Sequence, residues 1–130
     1  MGINITNKQQ NWLYVCRDNE LQEKHFLIIA LNYRGKPHSG IIFRFNGNTL
    51  AYLNQCVHMP RQLNCESNAI FDKQQNLLRC SMHGIVFDPF SGESLSTMCK
   101  DEKLIKLQLK TIDDEIFISD KHCAEINGVI

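Results

Sequence analysis

Two short motifs, Cys56-Val57-His58 and Cys80-Ser81-Met82-His83-Gly84, constrain this chain more than anything else in it, because each sets one sulfur beside one imidazole. Thiolate and neutral imidazole are soft to borderline donors that suit iron and zinc, and neither motif contains a carboxylate, the hard ligand of magnesium or calcium. A transition-metal site is therefore expected, and the fold must bring two separated segments together to make it. Cys56 and His58 are i and i+2, on one side of an extended backbone. Cys80 and His83 are i and i+3, which one tight turn brings together. Gly84 lets the backbone turn or approach the metal where a Cβ would obstruct it. On donor chemistry alone iron and zinc both stay open. The mixed pairing departs from zinc fingers, which set Cys with Cys and His with His.

The rest of the chain reads as the β-scaffold such loops need. Short β-branched and aromatic runs alternate with turn signals, as in an all-β antiparallel sandwich or partly open barrel. Strands are expected at 11–16, 26–33, 40–45, 49–54, 68–71, 77–80, 85–88, 104–110 and 115–119. Asn46-Gly47-Asn48 between Ile41–Phe45 and Thr49–Leu53 is a hairpin signal. Phe71 to Leu78 reads as a second hairpin that delivers Cys80 from a strand, and Asp113-Asp114 as a third turn rather than an acid/base pair. Helical signals are few: a turn from Asp18 to Lys24 capped by Asp18 or Asn19, and another from Asp120 to Ile126. Trp12, Tyr14, Phe43, Phe45 and Phe117 are expected in the core, and His25, His38 and His122 on the surface.

At 130 residues the chain reads as a single domain, 1–130, able to bury a sizeable core. Lys plus Arg (14) equals Asp plus Glu (14), so nothing in the charge points to nucleic acid or an anionic membrane. The longest apolar run, Phe26 to Leu31, is far short of a membrane helix. The N-terminus lacks the basic start and apolar stretch of a signal peptide, so a cytoplasmic protein is expected. In that compartment six cysteines suggest metal ligands plus thiols rather than a disulfide framework. Cys16 reads as a small buried hydrophobe. Cys65 and Cys99 read as reduced thiols, with a bridge between them as the alternative.

The pattern C-x-H, a spacer, then C-x-x-H-G resembles the Rieske [2Fe-2S] family, and Phe87-Asp88-Pro89 with Ser91-Gly92 extends the likeness beyond the ligands. The spacer, Met59 to Arg79, is longer than most in that family, which an inserted hairpin would explain. The resemblance implies a [2Fe-2S] cluster, with Cys56 and Cys80 on one iron and His58 and His83 on the other. It also implies the Rieske form of the fold, with the cluster-binding loops at one tip. Two thiolates neutralise the 2+ of an oxidised core, whereas four would leave 2−, so Rieske centres are easier to reduce than plant-type ferredoxins. High-potential members carry hydroxyls where this chain has Ile85 and Phe87, and bridging cysteines where it has Arg61 and Met82. It is similar instead to the low-potential soluble ferredoxins.

The function so implied is a soluble Rieske-type ferredoxin, a one-electron carrier between a reductase and an oxygenase or other redox enzyme, expected as a monomer. No substrate-converting site is found, and the stretch after the second motif is too short for the mononuclear-iron domain of a catalytic oxygenase. The alternative is a zinc-stabilised interaction module without a redox role.

Overall fold

The computed structural model describes residues 12–57, 62–64, 69–80 and 84–126. The chain divides into two compact units, Met1–Ala51 with Leu107–Ile130, and Tyr52–Lys106. Among the described residues there is no α-helix and no closed barrel; the strand pairs are antiparallel. Among the described residues no helix is long and apolar enough to cross a membrane.

The first unit is built on two sheets. In one, β1 (Leu13–Arg17), β8 (Glu115–Ile118) and β7 (Leu109–Ile112) lie in the order β1-β8-β7. In the other, β4 (Asn48–Leu53), whose last two residues already belong to the second unit, β3 (Lys36–Phe45), β2 (Phe26–Tyr33) and β9 (Cys123–Ala124) lie in the order β4-β3-β2-β9. Central strand β3 carries Ile41, Ile42 and Phe43 in succession, all at most 1% exposed, so both its faces are covered there. Two hairpins follow from local chemistry. Asn46 and Gly47 take φ of 51° and 78° between β3 and β4, and Asp113 and Asp114 take 52° and 65° between β7 and β8. Both central residues at positive φ are the signature of the turn whose twist matches that of its strands.

The second unit holds the hairpin of β5 (Leu78–Arg79) and β6 (Val86–Phe87). Single bridges Phe71 to Leu78, Phe87 to Ser94 and Glu93 to Lys103 extend it. Its interior contains Tyr52, Leu53, Leu63, Ile70, Leu78, Ile85, Phe87 and Leu104.

Several expectations are corrected. Of the strand expected at 68–71, Phe71 makes one bridge, and residue 68 lies outside the described residues. The strand expected at 104–110 starts only at Leu109, because the Gln108 N–H is taken by Asp120 Oδ2 at 3.1 Å. That same carboxylate accepts the His122 N–H at 2.9 Å, and the expected helical turn near the C-terminus is instead strand β9. The turn after β1 is a 3₁₀ turn, Asp18–Glu20, that starts from Arg17, whose N–H donates to Glu20 Oε1 at 2.8 Å. Asp18 instead pairs with Arg44 at 3.0 Å.

Of the expected core aromatics, Tyr14 is exposed, and Trp12 and Phe117 are only half-buried. Pairing runs Tyr14 to Phe117 and then Cys16 to Ile116, so Val15 is the extra residue of a β-bulge. The bulge turns both Leu13 and Cys16 inward, 6% exposed each, and leaves Tyr14 half exposed. Phe117 lies between the inward Ile116 and Ile118 and meets Trp12 and Tyr14 at ring-centroid distances of 6.0 and 5.7 Å. Phe43 and Phe45 are buried as expected. His25 is exposed, whereas His38 and His122 are half-buried beside the Tyr33 ring.

Candidate metal centre

Both motif cysteines belong to the unit Tyr52–Lys106, and both are buried, each 1% exposed. His58 and His83 lie outside the described residues, so the structure bears on the sulfur half of the quartet.

Cys56 follows directly from the end of β4. The chain leaves the strand through a tight turn in which the Gln55 N–H donates to the Leu53 carbonyl at 2.8 Å. Asn54, 3% exposed, anchors this exit. Its Oδ1 accepts the Leu63 N–H at 2.9 Å and its Nδ2 donates to Asn64 Oδ1 at 3.2 Å. The two flanks of the first motif are thus tied together by one buried carboxamide. Nothing in the sequence distinguishes Asn54 from an ordinary loop asparagine; its nearness to Cys56 was the only available signal.

Cys80 leaves β5, with the hairpin turn of Asp72 to Leu77 behind it. Asp72 Oδ1 accepts the N–H groups of Asn76 and Leu77 at 2.9 and 3.2 Å, and the Asp72 N–H donates to the Leu77 carbonyl. The backbone of Cys80 is held on both sides: its N–H donates to the Ile85 carbonyl at 2.8 Å, and its carbonyl accepts the Gly84 N–H at 2.9 Å. Gly84 sits at φ 71°, a conformation L side chains rarely adopt, which accounts for glycine after the second histidine. Beyond it the Val86 N–H donates to Ser96 Oγ at 3.1 Å, and the Val86 carbonyl accepts the Leu95 N–H. The positions read as lacking hydroxyls, Ile85 and Phe87, are 2% and 0% exposed.

The segment Asp88 to Gly92 forms a compact turn in which Asp88 Oδ1 accepts the N–H groups of Phe90 and Ser91, and the Asp88 carbonyl accepts that of Gly92. Tyr52, fully buried, donates its hydroxyl to the Pro89 carbonyl at 2.7 Å. Burial, with Asp88 adding to it, pushes the Tyr52 phenol well above its ordinary value.

Of the remaining cysteines, Cys16, Cys99 and Cys123 are buried thiols, and Cys65 lies outside the described residues. Cys99 is not in a disulfide. Burial pushes its thiol up, with Glu102 and Cys80 adding to the shift. Among the described residues no three His, Cys, Asp or Glu side chains converge on a metal position. A pair of buried thiols on rigid flanks, each next to a histidine-bearing stretch of sequence, fits a cluster bound through two sulfurs and two imidazoles.

Known structures share this arrangement of strands. The chain matches the structure titled as the complex of reduced oxygenase and oxidized ferredoxin in carbazole 1,9a-dioxygenase with a TM-score of 0.68 and 20% identity, over 87% of this chain and 96% of that one. It matches the ferredoxin of carbazole 1,9a-dioxygenase from Nocardioides aromaticivorans IC177 with a TM-score of 0.63 and 18% identity, over 85% and 99%. A third match, in a complex of a singly substituted oxygenase with ferredoxin of carbazole 1,9a-dioxygenase, has a TM-score of 0.67 and 17% identity, but this chain spans only 29% of that one. At such identities the likeness is one of fold. No curated protein sequence matches. The profile of the Rieske [2Fe-2S] domain matches residues 11–123, across both compact units. With the two motifs in sequence and their cysteines buried in one unit, this chain belongs to the Rieske [2Fe-2S] domain family, whose cofactor is a [2Fe-2S] cluster.

Proposed function

We propose that this protein is a one-electron carrier, a soluble Rieske-type ferredoxin, in which Cys56 and Cys80 hold one iron of the cluster and His58 and His83 the other. The observation that carries it is the burial of Cys56 and Cys80, each 1% exposed, in the one unit where Gly84 and Asn54 fix the flanks of both motifs. The cluster, when bound, accepts and gives up single electrons. The chain's own part is to keep the thiolate ligands away from water and to hold the backbone still, so that reduction requires little rearrangement. We read residues 1–130 as one functional domain, acting as a monomer in the cytoplasm.

The reductase and oxygenase reading of the partners draws support from the similar structures titled as complexes of an oxygenase with a ferredoxin. Partner choice depends on surface shape and charge near the ligand loops rather than on the fold.

The test is the cofactor content of protein purified without oxygen. About two irons and two acid-labile sulfides per chain are expected, with an electron-spin-resonance signal on reduction. Stoichiometric zinc in protein made with ample iron and cluster assembly would overturn the reading in favour of a zinc-stabilised module.

A further inference from the structure

Arg79 precedes Cys80 directly and pairs with Val86 across β5 and β6. Its half-buried side chain lies beside Gly84, the last residue of the second motif. A methyl group built on Gly84 would stand 3.6 Å from Arg79 Nη2 and 3.8 Å from Nε. Gly84 is the residue whose N–H closes the turn onto the Cys80 carbonyl, so the guanidinium lies against the end of that turn. The ion pairs among the described residues are Arg17 with Glu115 and Arg44 with Asp18; the Arg79 guanidinium has no acceptor among the described residues.

A fixed cation beside a ligand loop acts on whatever charge changes there. On the proposed two-Cys, two-His ligation the oxidised site is neutral and the reduced site carries one negative charge. The field of Arg79 therefore favours the reduced form, and its partial burial limits the screening that an exposed lysine would suffer.

We propose that Arg79 is the counter-charge of the reduced cluster and raises its reduction potential, offsetting part of what the chain lacks in hydroxyl donors at Ile85 and Phe87. The inference rests on the cluster-binding reading above. No bond and no proton at Arg79 changes: one electron enters the cluster from an external donor, and the guanidinium stabilises the charge it leaves.

The experiment is a reductive titration with dithionite and mediators, followed by visible absorbance, on the full chain and on Arg79→Lys, Arg79→Gln and Arg79→Glu, each assayed for iron and sulfide. At a fixed ambient potential the ratio of reduced to oxidised protein should fall by roughly three- to tenfold for each unit of positive charge removed. Arg79→Lys should stay close to the wild type, and the differences should shrink in concentrated salt. If Arg79→Glu fails to hold a cluster, the comparison of Arg79→Lys with Arg79→Gln decides. Equal midpoints in cluster-loaded proteins overturn the proposal, as does an Arg79→Lys midpoint that drops with Arg79→Gln; both leave the cluster reading standing. A wild-type protein without iron and sulfide overturns both.

Discussion

The Cε1 atom of Tyr52 stands 2.8 Å from where the Cβ of any residue replacing Gly92 would sit. The position is closed from another side by Leu104, whose Cβ and carbonyl oxygen are each 3.4 Å away, and Gly92 itself sits at φ 79°. Tyr52 cannot withdraw, because its ring is fully buried and its hydroxyl is held by the Pro89 carbonyl. Gly92→Ala therefore combines overpacking with backbone strain and should cost about 3 kcal/mol. Urea unfolding checks this, and a loss below a few tenths of a kcal/mol would show that the turn can shift.

Tyr52 also makes stability fall in alkali. Its phenol is raised above the ordinary value of 10.0 by burial and by Asp88. Above that pH the unfolded chain releases the proton and the folded one keeps it, so stability present below about pH 10 is lost as pH rises toward the folded value. Unfolding midpoints measured from neutral to strongly basic pH should fall less steeply in Tyr52→Phe. The same variant should lose about 1 kcal/mol near neutrality with the Pro89 hydrogen bond.

At the other end of the pH scale, Glu23 secures the β3–β4 hairpin. Its carboxylate accepts the N–H groups of both Asn46 and Gly47. The Gly47 and Asn46 hydrogen bonds hold its pKa below the ordinary 4.5. A carboxyl depressed in the folded state contributes stability above its unfolded pKa, and that contribution is lost as pH falls through the folded value. Glu23→Gln should therefore be less stable than the wild type near neutrality and converge with it in acid, as acid-unfolding curves will read.

Asn54 ties Leu63 and Asn64 to the exit of β4. Asn54→Ala leaves the Leu63 N–H without this acceptor in a buried place, a loss of roughly 1–3 kcal/mol. Because the tie spans the first motif, the variant should also lose iron faster to a chelator than the wild type. Equal rates of iron loss would separate the anchor from the metal site.

Ligand assignment is tested by conservative replacement. Cys56→Ser and Cys80→Ser should each lose the cluster and its visible absorbance, since thiolate ligation and local folding are coupled. Cys99→Ser should retain both, even though its thiol lies close enough to Cys80 for the two to interact electrostatically. Cluster loss in Cys99→Ser with retention in Cys80→Ser would reassign the ligand.

Local chemistry alone determined a good deal of this protein. The Asn46-Gly47 and Asp113-Asp114 turns and the extent of β2 (Phe26–Tyr33) were legible in the sequence, because each is written in neighbouring residues. The tertiary structure decided what depends on partners distant in the chain. The bulge at Val15, which reverses the inside and outside of β1, exists only against Ile116 and Phe117. Residues 123 and 124 became strand β9 because Asn32 and Tyr33 offer an open edge. Asn54 and Arg79 look like ordinary polar residues until folding buries one among backbone donors and lays the other beside Gly84. Short-range spacing specifies which atoms can bind a metal, whereas the field and the anchoring around them come from packing, which no window of neighbouring residues contains.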